Sequence, residues 1–231
     1  GGAEISGNVS LTHQEVLARS HTTAFILGGN SGEAAMAEPL AVCLHAVNRA
    51  GPLLGKRVLV TGSGPIGALC VMAARRAGAA EIVATDVARE PLERIGRLGA
   101  DLTVNVASDA AAMGAFARDK GWFDVLFEAS GNERALTGAF EVLRPGAVVV
   151  QVGLAAGSFT LPINLVVAKE LQLRGTFRFN EEFQTAIELM GKRLIDVRPL
   201  ITATLPFASA REAFELASDK SRSMKVQLAF G

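Results

Sequence analysis

An α/β fold built on a doubly wound, six-stranded parallel sheet is what this sequence predicts, and three observations carry the prediction. From Arg57 onwards short apolar, β-branched runs alternate with amphipathic helical stretches, the pattern of a parallel sheet covered by helices on both faces. One junction, Arg57 to Ala74, reads R-V-L-V-T-G-S-G-P-I-G-A-L-C-V-M-A-A: a strand, a glycine turn and the start of an Ala-rich helix. An acid, Asp86, closes the next apolar run 19 residues after Gly67. The last two together make the dinucleotide-binding (Rossmann) fingerprint, which is far more specific than a lone glycine pattern.

The elements follow in chain order. Residues 1 to 32 scatter Gly, Ser, Asn and Thr, and Thr12-His13-Gln14-Glu15 has capping-box spacing. A short helix from Thr12 to Ser20 and a strand from Thr23 to Leu27 are expected before Gly28-Gly29-Asn30-Ser31-Gly32 breaks the run. Glu33 to Ala50 is mostly good helix former, interrupted at Pro39 and ended by Gly51-Pro52, so a bent helix should lead into the sheet. Strands are expected at Arg57–Thr61, Glu81–Thr85, Leu102–Asn105, Asp124–Glu128, Ala147–Val152 and Leu171–Thr176. Between them helices fall near Pro65–Ala77, Arg89–Leu98, Ala110–Lys120, Glu133–Leu143 and Leu165–Ala168. Right-handed crossovers would put the strand-to-helix turns on one edge of the sheet, where a ligand belongs. Beyond Asn180 the pattern changes to a helix Glu181–Lys192, an extended stretch Leu200–Leu205, a helix Ala208–Ser218 and a strand Lys225–Phe230. The expected division is 1–44 as an N-terminal piece with a connecting helix, 45–180 as the nucleotide domain and 181–231 as a tail too short to be a domain.

Composition narrows the functional classes. A chain of 231 residues can bury one good core. Lys plus Arg equals Asp plus Glu at 23 each, so no net charge draws it to nucleic acid or to an acidic membrane. No apolar run reaches the roughly 20 residues of a membrane span. The opening G-G-A-E-I-S-G lacks the basic-then-apolar order of a secretion signal, and a cytoplasmic location is expected. Cys43 and Cys70 read as small buried apolar residues without a disulfide, and two cysteines cannot build a four-thiolate zinc site.

The glycine turn specifies its own chemistry. Gly62 lets the chain leave the strand sharply, Gly64 lets backbone approach a pyrophosphate, and Gly67 lets the helix sit close to the sheet. The helix start offers unpaired N–H groups and a positive dipole end to the phosphates, and Pro65 suits its first turn because the missing N–H would be an orphan. Asp86 would accept hydrogen bonds from an adenosine ribose diol and repel a 2′-phosphate, favouring NAD; Arg89, three residues on, keeps NADP open. Ser130 and Gly131 follow one strand and Val152, Gly153 and Leu154 another, small residues over which a cofactor could lie, although a turn alone also asks for glycine. Of the histidines His13, His21 and His45, only His45 has a carboxylate at helical spacing, Glu38, and a hydrogen-bonded or surface histidine is the simpler reading.

Several motifs in order resemble the medium-chain zinc-dependent alcohol and polyol dehydrogenases, within them the branch acting on L-idonate and sorbitol. They are Ala37-Glu38-Pro39-Leu40, Gly55-Lys56-Arg57-Val58, Gly62-Ser63-Gly64-Pro65-Ile66-Gly67, Glu128-Ala129-Ser130-Gly131, Val150-Gln151-Val152-Gly153 and Arg174-Gly175-Thr176-Phe177-Arg178-Phe179. The resemblance covers about Glu33 to Phe230. It implies Gly62, Gly64, Pro65, Ile66 and Gly67 at the pyrophosphate, and Asp86 at the ribose. It places Val152, Gly153 and Leu154 near the nicotinamide, Phe177 and Phe179 along the cofactor edge, and Lys225 at a cofactor phosphate. Arg178 would face the active site, and Glu38 would bind a catalytic zinc directly or through water. The implied reaction is oxidation of a secondary alcohol, a polyol or sugar acid, with NAD as hydride acceptor and zinc assisting in the complete family enzyme. The cofactor domain of that family is inserted in a GroES-like catalytic domain, so remnants of it are expected at both termini, and a homo-oligomer is expected through the edge strand Leu171–Phe177. The family's cysteine zinc ligand and Gly-His-Glu segment do not occur in this sequence. Glu38 alone cannot hold zinc, and the chain is expected not to bind it. A non-catalytic dinucleotide-binding module is therefore the alternative reading.

Overall fold

Strands that must be buried on both faces are continuous apolar runs, and three such runs form the centre of a six-stranded sheet here. The computed structural model describes residues 31–155 and 157–229. Its strands β1 (Arg57–Thr61), β2 (Glu81–Asp86), β3 (Leu102–Asn105), β4 (Phe123–Glu128), β5 (Leu143–Gln151) and β6 (Gln172–Gly175) form one all-parallel sheet in the order β3-β2-β1-β4-β5-β6. Every residue of β4 is buried. The order reverses between β1 and β4, and in such sheets the crevice beyond the strand C-termini at that point is the ligand site.

Helices cover both faces. On one, Val58, Val60, Val125 and Phe127 pack with α2 (Ala37–Ala50), α3 (Pro65–Arg76) and α7 (Glu182–Gly191), the last two helices contributing Leu69, Cys70, Ala186 and Met190. The intervening residues Leu59, Leu126 and Val149 point to the other face, where Leu136 of α5 (Glu133–Ala139), Phe140 and Leu171 meet them. Each fully buried Leu- or Phe-sized side chain contributes about 1.5–3 kcal/mol, so the alternation along the strands is the main stabilising feature. Four further helices, α1 (Ser31–Ala34), α4 (Arg89–Gly96), α6 (Ile163–Ala168) and α8 (Ala210–Ser218), complete the set among the described residues.

The structure corrects four expected elements. The break in the 33–50 helix falls at residues 35–36, between α1 and α2, and Pro39 sits third in α2, inside the first turn where a backbone N–H has no intrahelical partner. Ala110–Lys120 is 3₁₀ helix with non-helical backbone at Arg118 and Asp119; it has no fully buried residue, and only Ala112, Met113 and Phe116 pack, half-buried, on the Phe140 side of the sheet, too small a face to sustain a regular helix. The 133–143 helix ends at Ala139; one 3₁₀ turn, Phe140–Val142, follows, and Leu143 already belongs to β5, opposite Phe123. The 208–218 helix begins only at Ala210, after a 3₁₀ turn over Phe207–Ser209. The helix and strand expected over 12–20 and 23–27, with His13 and His21, lie outside the described residues.

At the N-terminal edge of the sheet, charges meet charges or carbonyls. Asp124 accepts from the Arg57 N–H at 2.7 Å and pairs with the Arg144 guanidinium at 2.7 Å. Lys169 donates to the carbonyls of Phe140, Glu141 and Leu143 at 2.7–2.9 Å, closing the end of the α5 segment, and burial pushes its pKa down. Trp122 donates to Glu81 at 2.8 Å, with the Arg57 guanidinium 4.1 Å from its ring centre.

The tail returns to the start of the described chain. His45 Nδ1 and Asn48 Nδ2 of α2 both lie 2.9 Å from Glu182 Oε1, and Arg193 pairs with Glu33. Two short strands, β7 (Ile201–Pro206) and β8 (Lys225–Ala229), pair in parallel as a separate sheet. Arg94 of α4 donates to the Ser221 carbonyl at 2.9 Å, and Gln227 to the Gly32 carbonyl at 2.6 Å.

Candidate functional site

The crevice beyond β1 and β4 begins with the glycine turn, and each glycine there answers a separate steric demand. Gly62 has φ +89°, and a side chain on it would come within 2.8 Å of the Ser130 nitrogen. A Cβ on Gly67 would overlap the Gly62 carbonyl oxygen, with Val60 Cγ1 next at 3.6 Å. Gly67 thus packs first on the turn and only then on the strand, which refines the expectation from sequence. Gly64, the N-cap of α3, has open space over it, and Pro65 is the first helical residue. Ser63 is fully buried, and its Oγ has no partner. Ile66 is anchored by its carbonyl, 3.5 Å from Cys43 Sγ. Cys43 and Cys70 are buried and free, and burial, then the neighbouring Cys70 thiol, pushes the Cys43 pKa well up.

Asp86 closes the far side of the turn. Its Oδ2 accepts the Ser63 N–H at 2.6 Å, and its Oδ1 accepts Val87 and Ala88 N–H groups at 2.7 and 3.0 Å. An ionised carboxylate offers about four acceptor positions, so three backbone bonds leave room for one more donor. Arg89 is turned along its own helix, with Nε 2.7 Å from Glu93 Oε1.

The turns after β4 and β5 interlock. Gly131 has φ +64°, and a Cβ there would overlap the Leu154 carbonyl; a Cβ on Gly153 would overlap the Gly131 nitrogen. Leu154 is 82% exposed, the most open large apolar side chain of the described residues. Beneath these turns lies Glu128, 0% exposed. Its Oε1 accepts from Ser130 N at 2.8 Å, from Ser130 Oγ and, at 3.4 Å, from Thr61 Oγ1. Its Oε2 accepts from Gly131 N at 3.1 Å and Gln151 Nε2 at 2.5 Å. Thr61, Glu128 and Gln151 are register partners across β1, β4 and β5, so parallel pleating sets their side chains on one face. Reading for small residues at strand ends missed this row, although an acid ending the apolar run F-D-V-L-F-E was a visible signal.

The remaining sequence candidates scatter. Glu38 is exposed in the first turn of α2, while His45 is engaged with Glu182. Burial would raise the Glu182 carboxyl, but His45, the Asn180 N–H and Asn48 together hold it down to about 2. Phe177 is 69% exposed; Arg178 has φ +55°, with its guanidinium 5.3 Å from the Phe177 ring centre. Phe179 turns inward and stacks on Phe183 at 5.6 Å. Lys225 opens β8, in the second sheet. Among the described residues no three His, Cys, Asp or Glu side chains gather as metal ligands, so the residues present do not fit a catalytic zinc. A cavity of about 330 Å³ lies elsewhere, beside the far end of α3, lined by Met72, Arg75, Leu98 and Asp196. Its Arg75 guanidinium is taken up by Asp101 and the Gly99 carbonyl. No helix among the described residues is long and apolar enough to cross a membrane.

A profile of zinc-binding dehydrogenases matches residues 65–192, from the first residue of α3 to the end of α7. The chain belongs to the zinc-binding dehydrogenase family. It is 44% identical over 196 residues to L-idonate 5-dehydrogenase (NAD(P)(+)) of Escherichia coli K12, covering 85% of this chain and 57% of that protein. With sorbitol dehydrogenase of Gallus gallus it shares 35% identity over 199 residues, 85% of this chain and 56% of the other. The chain thus spans little more than half the length of these relatives. The crystal structure of the same E. coli L-idonate 5-dehydrogenase superposes with a TM-score of 0.81 over 85% of this chain and 56% of that one. A short chain alcohol dehydrogenase from E. coli CFT073, complexed with cofactor NADH, superposes with a TM-score of 0.81 at 25% identity, over 87% and 60% of the two chains.

Proposed function

We propose that this chain is the cofactor-binding part of an NAD-dependent polyol or alcohol dehydrogenase, acting on a secondary alcohol such as L-idonate or a related sugar acid or polyol. The observation that carries the reading is the Gly62–Gly67 turn: open space over Gly64, a buried Ser63 hydroxyl without a partner, and Asp86 bonded to the turn. Gly62, Gly64, Pro65, Ile66 and Gly67 would hold the pyrophosphate against the N–H groups of the first turn of α3. Asp86 would take the adenosine ribose through its remaining acceptor capacity. Its negative charge supports NAD over NADP, and the Arg89–Glu93 pair supports the same preference by holding the nearest guanidinium along its helix. Ser130, Gly131, Val152, Gly153 and Leu154 would line the nicotinamide half, with Phe177 and Arg178 at the rim and Lys225 near a phosphate. The nicotinamide, when bound, supplies the hydride acceptor. Gly131 and Gly153, which carry no side chain, would let it lie close to the backbone, with Leu154 exposed beside them.

Residues 181–231 fit the return of the chain to a second, catalytic domain, and the lone two-stranded sheet with Phe207 58% and Phe214 71% exposed supports this, because such a pair is not stable alone. Glu38 and the zinc chemistry of the family would belong to that assembled enzyme. The relatives are dehydrogenases by name, which weighs against a purely non-catalytic module. A homo-oligomer through the edge strand β6 is supported by the exposed Leu173 of that strand, 42% open, and by the exposed Ile163 and Val167 of α6.

Calorimetric titration with NADH and NADPH tests the reading. Saturable binding, tighter for NADH, is expected; no saturable binding of either overturns it. Sedimentation velocity tests the oligomer, which a purely monomeric chain at micromolar concentration would exclude.

A further inference from the structure

A carboxyl group buried in a sheet costs several kcal/mol unless its surroundings satisfy it, and Glu128 is satisfied in an unusual way. Among the described residues no Arg, Lys or His pairs with it; its donors are Thr61 Oγ1, Ser130 N and Oγ, Gly131 N and Gln151 Nε2. Its backbone carbonyl also receives the N–H groups of Val152 and Gly153, at 2.9 and 2.7 Å. One residue therefore holds the turn after β4 through its side chain and the turn after β5 through its main chain. Gln151 extends the link, donating both to Glu128 Oε2 and to the Gly153 carbonyl at 2.8 Å. The two turns interlock so closely that neither Gly131 nor Gly153 has space for a Cβ. A second observation points outward: Gln151 Oε1 is buried and lacks a partner, an acceptor held within this network at the strand ends.

We infer that Glu128 is a positioning residue for the nicotinamide half of the cofactor, fixing the Ser130-Gly131 and Val152-Gly153 backbones in one shape through Gln151 and the strand ends. This rests on the cofactor reading above. Glu128 touches no reacting atom; its effect passes mainly through the two turns, and its one bond toward the pyrophosphate turn, from Thr61 at 3.4 Å, is the longest of the set.

The separation gives the test. In Glu128→Gln the amide NH₂ replaces one carboxyl oxygen, so at least one of its two groups of donors faces another donor while the volume is kept. Binding of NADH and of ADP-ribose, which lacks the nicotinamide, is measured by calorimetry on the full chain and on the variant. NADH affinity is expected to fall about tenfold, a change of about 1.4 kcal/mol, with ADP-ribose affinity within about twofold of the parent. A merely structural role would weaken both ligands together, and that result, like no change in either, overturns the inference. Should Glu128→Gln fail to fold, Gln151→Met decides: the same selective loss, about threefold, supports the inference, and an equal or absent loss overturns it. If the parent chain binds neither ligand, the cofactor reading itself falls and takes this inference with it. If the parent binds both, only Glu128 is in question.

Discussion

Asp124 and Glu128 stand at opposite ends of β4, both buried, and are satisfied by opposite means. Asp124 is held by the Arg57 backbone N–H and by two guanidinium groups, those of Arg57 and Arg144, each of which keeps contact with solvent. Glu128 is held by backbone N–H groups, hydroxyls and one amide, all uncharged. A long, flexible arginine tolerates small backbone shifts and leaves the chain around it adjustable. A carboxylate bonded to successive backbone amides fixes the φ and ψ of the loop that carries them. The N-terminal edge is thus built to hold the strands together, and the C-terminal edge to hold a particular surface in shape. Changes at the first edge should move stability, and changes at the second should move cofactor binding.

The largest effect should come from Gly67→Ala, whose new methyl would overlap the Gly62 carbonyl. NADH affinity in calorimetry should fall by about a hundredfold or more, equivalent to about 2.7 kcal/mol; unchanged affinity would break the comparison at its strongest point. Next comes Lys169→Met, which leaves three carbonyls without their donor. Denaturant unfolding should show a loss of about 2–3 kcal/mol with NADH affinity unchanged, and a large loss of affinity in the folded variant would mean that the two edges are coupled. Asp124→Asn should cost about 1 kcal/mol, because its partners are partly exposed and screened, again without an effect on NADH. The last prediction concerns a charge remote from both edges. Glu182 is held down to about 2 from an ordinary 4.5. A depressed carboxyl contributes stability that is complete above its unfolded value and lost as pH falls through its folded one. Stability of the parent should therefore decline between about pH 4.5 and pH 2, and Glu182→Gln should flatten that part of the profile. An unchanged slope would show that other carboxyls control the acid limb.

How much of this was legible in the sequence depended on whether a residue's role was local. Strands β1 and β2 announced themselves because β-branched runs buried on both faces leave few alternatives. The glycine turn was legible because its three glycines lie within six residues. The 110–120 segment misled because its Ala-rich composition is helical while only Ala112, Met113 and Phe116 pack, half-buried, on the core, and propensity with so small a packing face does not hold a regular helix. The stretch 140–143 misled for the opposite reason: Phe140, Val142 and Leu143 are buried, but against the second core and β4, a demand that no local pattern shows. The Glu128 row was hidden because its members lie 67 and 23 residues apart and meet only through strand register. Family likeness carried Glu38 and Arg178; Glu38 stands exposed on α2, and the Arg178 guanidinium lies 5.3 Å from the Phe177 ring centre.

Trp122 gives the N-terminal edge an optical voice of its own. It is the sole tryptophan of the chain and sits one residue before β4, hydrogen-bonded to Glu81 and covered by Arg57. Six residues of strand, about 20 Å, separate it from the turns at the other end. Its emission therefore reports the edge remote from the glycine turn. Monitored during heating, it would register the loosening of Arg57 and Asp124, while the fluorescence of a bound reduced nicotinamide would register the opposite edge. Two wavelengths would then show whether one sheet melts from one end or from both at once.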